Sequence, residues 1–247
     1  MRQDPDTLNL LPLYFSARPS ARVLGIVFVL AAAISWVAAG YDLGELRAMA
    51  AIGEGASLGP AVALARAEAG RGVAVAQISC ALFVAAAFCP WLYQVRANVR
   101  ALGARRLRFG REWTYLGFAI PVLNAYRPYQ VVSEVWRASD PASLDPLGWQ
   151  RLPTSRLVLA WWVGLAGWVV CEALAALLLH IAPGIEHVET AHAVGLVGDV
   201  GSAVSASLGY FLVARISAAQ DAKWAAFGRG DALSGAAPVA CGSAVRA

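Results

Sequence analysis

Charge is scarce in this sequence. Only 15% of the 247 residues are Asp, Glu, Lys or Arg, against about a quarter in an ordinary soluble domain. Lysine is almost missing: Lys223 stands alone beside nineteen Arg. Four Cys (Cys80, Cys89, Cys171, Cys241) form no CxxC pair, which leaves no zinc ribbon or disulfide framework to read. Thiols placed in apolar runs serve as small hydrophobic side chains. The sequence also lacks a P-loop, a dinucleotide fingerprint and an HExxH run. Gly55-Ala-Ser57-Leu-Gly59 matches GxSxG, but without the strand–turn–helix setting that a nucleophile needs. No cofactor is expected, and an enzyme is the weaker expectation.

What the chain does have is apolar sequence, 59% of it, gathered into runs. A helix crossing a bilayer needs roughly 20 apolar residues. Residues 23–41, 72–95, 157–179 and 193–214 meet that requirement, broken only by Glu172 in the third run and Asp199 in the fourth. The expected fold is an all-α integral membrane protein with four transmembrane helices over residues 23–215. A polar arm (1–22) precedes them, and a Gly-, Ala- and Ser-rich tail (216–247) follows, read as a short helix fading into disorder. Val37-Ala38-Ala39 has the small residues of a signal-peptide site, but the long arm with Asp4 and Asp6 favours a retained anchor.

Base counting sets the orientation. Residues 96–156 carry ten Arg against four acids, whereas 181–191 carry Glu186 and Glu189 and no Arg or Lys. Cytoplasmic loops hold the Lys/Arg excess, so a multi-pass protein of the cytoplasmic (inner) membrane with both termini inside is expected. Arg residues bordering apolar runs indicate a bilayer surface as partner, not nucleic acid.

Between the second and third runs lies a module, 96–156, expected to be an interfacial or re-entrant helical element on the cytoplasmic side. Its WTYLGFAIPVLNAY stretch is too short to cross. Pro121 breaks a helix there, and Asn124 suits the backbone groups so freed. Arg127-Pro128 favours a new helix near Tyr129, a short amphipathic one with Val131, Val132, Val135 and Trp136 on one side and Ser133, Glu134 and Arg137 elsewhere. These residues resemble a bacterial family of small multi-spanning membrane proteins, domain of unknown function 4328. The shared pattern is Trp91-Leu-Tyr93-Gln-Val-Arg96-Ala-Asn98, Leu102-Gly103, Arg108-Phe109, Trp113, Pro121, Asn124, Pro128-Tyr129-Gln130 and Glu134-Val-Trp136-Arg137-Ala-Ser139-Asp-Pro141. It covers about 91–141 and continues weakly through the last two runs, departing at Gln94, where Arg is common in the family. The resemblance implies membrane location and a shared module, and no activity. Two readings of the module stay open. Its Trp, Tyr and Arg anchor helices at the interface, or Arg96, Arg100 and Arg127, with Asn98, Asn124 and Gln130 as neutral donors, hold an anionic lipid head group. A docked membrane-protein partner is a variant of the second reading.

Glu172 and Asp199 are the sharper feature. Glu172 lies eight residues before His180 and Asp199 seven after His192, so at about 1.5 Å per residue both lie roughly 10–12 Å below the outer edge. Gly195, Gly198, Ser202, Ala206 and Gly209 give Asp199 a small-residue face for close helix contact. Carboxylates within a membrane mark function by default. A polar site of Glu172, Asp199, His180 and His192 is expected, serving a proton, a cation or, with His187 and Glu189 added, a metal whose identity is unknown. The functional expectation is a non-enzymatic binder of a small ligand, ion or partner, as a transport or sensing accessory. The alternative is an anchor or assembly protein acting through 113–139.

Overall fold

The computed structural model describes residues 14–110, 112–115, 126–181 and 184–233, without side-chain detail at 185 and 228–233. Pro121, Asn124, Cys241, most of the N-terminal arm and the end of the tail lie outside the described residues. Among the described residues the longer helices are, in order, α1 (Arg18–Gly53), α2 (Pro60–Ala101), α3 (Arg127–Ala138), α4 (Arg156–Ile181) and α5 (Ile185–Leu233), with a 3-10 turn at Gly148–Arg151 before α4. No strand occurs among the described residues. α1, α2, α4 and α5 are each long and apolar enough to cross a membrane.

Local chemistry explains the breaks. Pro19 and Pro60 occupy the first turns of α1 and α2, where a missing N–H is harmless and φ is already set. Gly55 adopts φ +99° in the α1–α2 turn, a conformation that costs glycine little. Pro90 sits inside α2 without ending it. The helix runs on to Ala101 and closes at Leu102-Gly103, with Gly103 at φ +78°, an αL stop of the usual kind.

α1–α2 and α4–α5 form two antiparallel hairpins whose turns share one end of the molecule, here the hairpin end. The other, the module end, carries α3. α5 is central, packed on both α1 and α4, and α1 also packs on α2. The contacts are close because side chains there are small. A Cβ on Gly198 would stand 2.7 Å from Cys171 Cβ, one on Gly164 2.9 Å from Ser205 Cβ, and one on Gly209 2.7 Å from the Phe28 ring. The small-residue face expected on α5 is therefore shared between two neighbours, α4 and α1.

Across the middle of the helices the surface is apolar and the interior is partly polar. Ile26, Val37, Ile78, Phe83, Val170 and Val197 are all more than half exposed, while Ser35, Asp199 and Ser205 are buried. That distribution suits a hydrocarbon solvent, where polar groups must find partners inside.

Two expectations on boundaries need revision. α5 has 49 residues, which at about 1.5 Å each span about 73 Å, well over the roughly 30 Å of a bilayer core. It continues through the segment read as tail, and Ile216, Ser217, Gln220 and Lys223 are buried there. They are held because α3 and the end of α2 cover them. The second revision concerns α3, which begins at Arg127 with Pro128 in its first turn. Its Val131, Val132 and Val135 are buried as expected, but so are Ser133 and Glu134. It is enclosed on most sides, packing on α2, α4 and the 3-10 turn.

Candidate functional site

The predicted residues separate into two groups. At the module end most of them are structural. Arg96 and Glu134, 1% and 2% exposed, form an ion pair at 3.1 Å. Glu134 also accepts the backbone N–H groups of Arg108, at 2.5 Å, and Phe109, at 3.4 Å, so it pins the loop after α2. Its inward direction was not foreseen, because the helix pattern placed it beside the polar Arg137. Arg96 Nε and Nη1 make no hydrogen bond among the described residues.

Asn98 donates to Phe15 O at 2.7 Å and to Gln220 Oε1 at 3.0 Å, and accepts Phe15 N–H. Gln220 in turn donates to Val95 O and Ser139 Oγ, and Lys223 Nζ to Ala138 O at 2.9 Å. Trp91, expected to anchor at an interface, is fully buried and donates to Ser217 Oγ at 3.1 Å. Gln94 donates to Ser16 O and accepts from Ser20 Oγ, tying the N-terminal segment to α2. Tyr14 donates to Asp221, which also pairs with Arg18 at 2.5 Å. Burial, then the bond to Asp221, pushes the Tyr14 phenol above its usual value.

Arg127 stacks over Trp113, Phe109 and Tyr126 at 5.0–5.2 Å and donates to Gln130. Arg137 lies over Trp149 at 5.6 Å. Tyr129 and Trp136 pack against the core as half-buried residues. The expected trio of anion-binding arginines therefore does not converge: Arg96 is sealed, Arg127 is stacked, and Arg100 alone is exposed.

The hairpin end differs. Asp199 is 3% exposed and accepts from Gln77 Nε2 at 2.5 Å. On α4, Glu172 approaches α5 beside it: its Oε1 would lie 3.6 Å from a Cβ on Gly198. The two carboxylates repel each other, and Asp42 of α1 repels both. Neither Glu172 nor Asp199 takes part in an ion pair among the described residues. His192 does not join them. Its Nδ1 lies 2.8 Å from Asp42 Oδ1, clipping α5 to α1 while Arg66 pairs with Glu45 at 3.0 Å nearby. His180, His187 and Glu189 are exposed, and no cluster of three or more metal-binding side chains forms among the described residues. Asp42 and Gln77 are the members that sequence reading missed. For Gln77 the available signal was weak, a neutral amide near the start of the second apolar run.

Directly toward the module from this site lies a cleft of about 460 Å³. Gln77, Cys80, Val84 and Phe88 of α2 form one wall, Trp161, Trp162, Leu165 and Trp168 of α4 the other, and Ser35 and Ser202 lie in its floor, sharing a hydrogen bond of 2.9 Å.

A family profile matches residues 54–218, from the α1–α2 turn into α5. The chain belongs to the DUF4328 family, a domain of unknown function. No curated protein and no solved structure matches it. The match takes in both groups of residues, the module that carried the resemblance and the carboxylates of α4 and α5, and so is wider than the pattern at 91–141.

Proposed function

We propose that this DUF4328 protein is a non-enzymatic, multi-pass protein of the cytoplasmic membrane whose Glu172–Asp199 pair binds a proton or a cation, as a transport or sensing accessory. One observation carries the reading: Asp199 is buried in an apolar bundle beside a second carboxylate, with Gln77 as its donor and no ion-pair partner among the described residues. Like charges at such depth demand a proton or a cation between them. The Arg excess of residues 96–156 supports a module end and termini that face the cytoplasm, with the carboxylates in the outer half. The test is a thermal-shift survey of the purified protein across pH and divalent cations, beside the Glu172→Gln/Asp199→Asn double variant. A ligand that binds only the folded state raises its stability. A shift present in wild type and lost in the double variant supports the site; an equal shift in both overturns it.

A second reading concerns the opposite face. Arg100, Arg105, Arg106 and Arg108 are exposed together at the module end, which favours anionic lipid head groups against an interfacial module. Reconstitution into anionic and zwitterionic bilayers tests this: stability independent of lipid charge overturns it.

A further inference from the structure

The cleft has a chemistry that the carboxylate site alone does not explain. α2 and α4 each pack on the α1–α5 layer but scarcely on each other, so the gap between them opens sideways, onto the surface that faces lipid. From Gln77 to Cys89 it follows α2 for thirteen residues, about 18 Å of helix. Its walls are apolar and aromatic over most of that length. Apart from Ser35, Ser202 and Ser205, its polar groups lie at the hairpin end, where Gln77 connects it to Asp199 and Trp168 stands one helical turn before Glu172. The Trp168 Nε1 atom is buried and aligned on no acceptor among the described residues, but it stands close enough to Glu172 to act as a hydrogen-bond donor to that carboxylate. A volume of about 460 Å³ falls within the usual range for small-ligand sites.

We infer that this cleft binds a lipophilic cation, a single hydrocarbon chain with a positively charged organic head, entering from the bilayer with its head toward Asp199 and its chain along α2 and α4. The inference rests on the carboxylate reading above and adds the class of cation. Charge decides the head group: neither carboxylate lines the cleft, but its polar end carries the Trp168 indole and leads through Gln77 to Asp199, a combination that suits a weakly hydrated organic cation. An inorganic divalent ion requires several oxygen ligands, and no such cluster forms among the described residues. The walls decide the rest, since an apolar lining of this length is matched by hydrocarbon.

Three of the nine tryptophans, Trp161, Trp162 and Trp168, line the cleft and serve as reporters. The full chain is placed in zwitterionic nanodiscs and titrated with bromine-tagged dodecyltrimethylammonium, with bromine-tagged dodecanol and dodecyl sulfate as chain-matched controls. The expected result is saturable tryptophan quenching by the cation, with only non-saturating quenching by the controls. Asp199→Asn removes a charge-assisted contact and weakens the cation about tenfold or more. Ala81→Phe, which fills the cleft and leaves Asp199 in place, abolishes saturation. Controls that saturate as the cation does, cation quenching unchanged by Asp199→Asn, or no saturation at all would each overturn the inference. Failure here is separable from failure of the site: a pH- or cation-dependent thermal shift that needs Glu172 and Asp199 survives if the cleft alone is wrong. If that shift is also absent, the carboxylate reading falls with it.

Discussion

Buried charge occurs at both ends of this bundle and is handled in opposite ways. At the module end Arg96 meets Glu134, and Glu134 gathers two backbone donors besides. At the hairpin end Asp199 meets Glu172, a charge of the same sign, with Gln77 as its donor. A paired charge holds loops and helices in one arrangement. An unpaired one costs stability in the folded state, a cost that proteins carry where something must bind. Under the proposed function the contrast gives structure to one end and binding to the other, although the family resemblance centred on the structural end.

The largest effect expected is therefore at the module end. Arg96→Met leaves Glu134 buried without its partner and should cost about 3–5 kcal/mol, read as a fall in the unfolding midpoint in detergent. An unchanged midpoint would mean that the ion pair does not hold the module. Next in size is packing beneath the cleft. Gly164→Leu drives a side chain into Ser205 and the Gly201 carbonyl and should cost about 1–3 kcal/mol through overpacking, by the same measurement.

Asp199→Asn should go the other way. Removing a buried like charge relieves repulsion from Glu172 and Asp42, so the midpoint should hold or rise slightly, while the response to pH and cations disappears. A stability loss as large as that of Arg96→Met would show that Asp199 is structural, and the contrast between the two ends would collapse.

How far the sequence could be read follows the same physics. The four long helices were legible because each contains an apolar run long enough to cross a membrane, and Glu172 and Asp199 stood out against those runs. Gln77 was not, since a neutral amide hardly interrupts such a run. Asp42 lies one residue beyond the first apolar run, which ends at 41, whereas α1 continues to Gly53 and carries it into the bundle. The extension of α5 was legible only as a short helix at the start of a tail, because the segment is rich in Ala, Gly and Ser. What makes it part of the fold is Gln220 and Lys223 meeting partners from α2, α3 and the segment after α3. Such long-range pairing leaves no periodic trace. Glu134 illustrates the same limit: its burial depends on Arg96, 38 positions away.

The smallest effect sharpens the contrast in pH. Tyr14 stacks on Trp224 with ring centroids 5.0 Å apart and donates to Asp221. Burial and that bond hold its phenol above the ordinary value near 10. A raised acid in the folded state contributes stability that is fully present below the unfolded value and is lost as pH climbs from there toward the folded one. The module end should therefore weaken in alkali, above pH of about 10, and Tyr14→Phe should flatten that part of the profile while lowering stability only slightly at neutral pH. Stability followed between neutral pH and pH 11 in wild type and in the Tyr14→Phe and Glu172→Gln/Asp199→Asn variants checks this. If the carboxylate variant alters the alkaline limb, or Tyr14→Phe the neutral response, the two ends are coupled through α5. Separate limbs, each removed by its own variant, would show that the long helix joins the ends without transmitting between them.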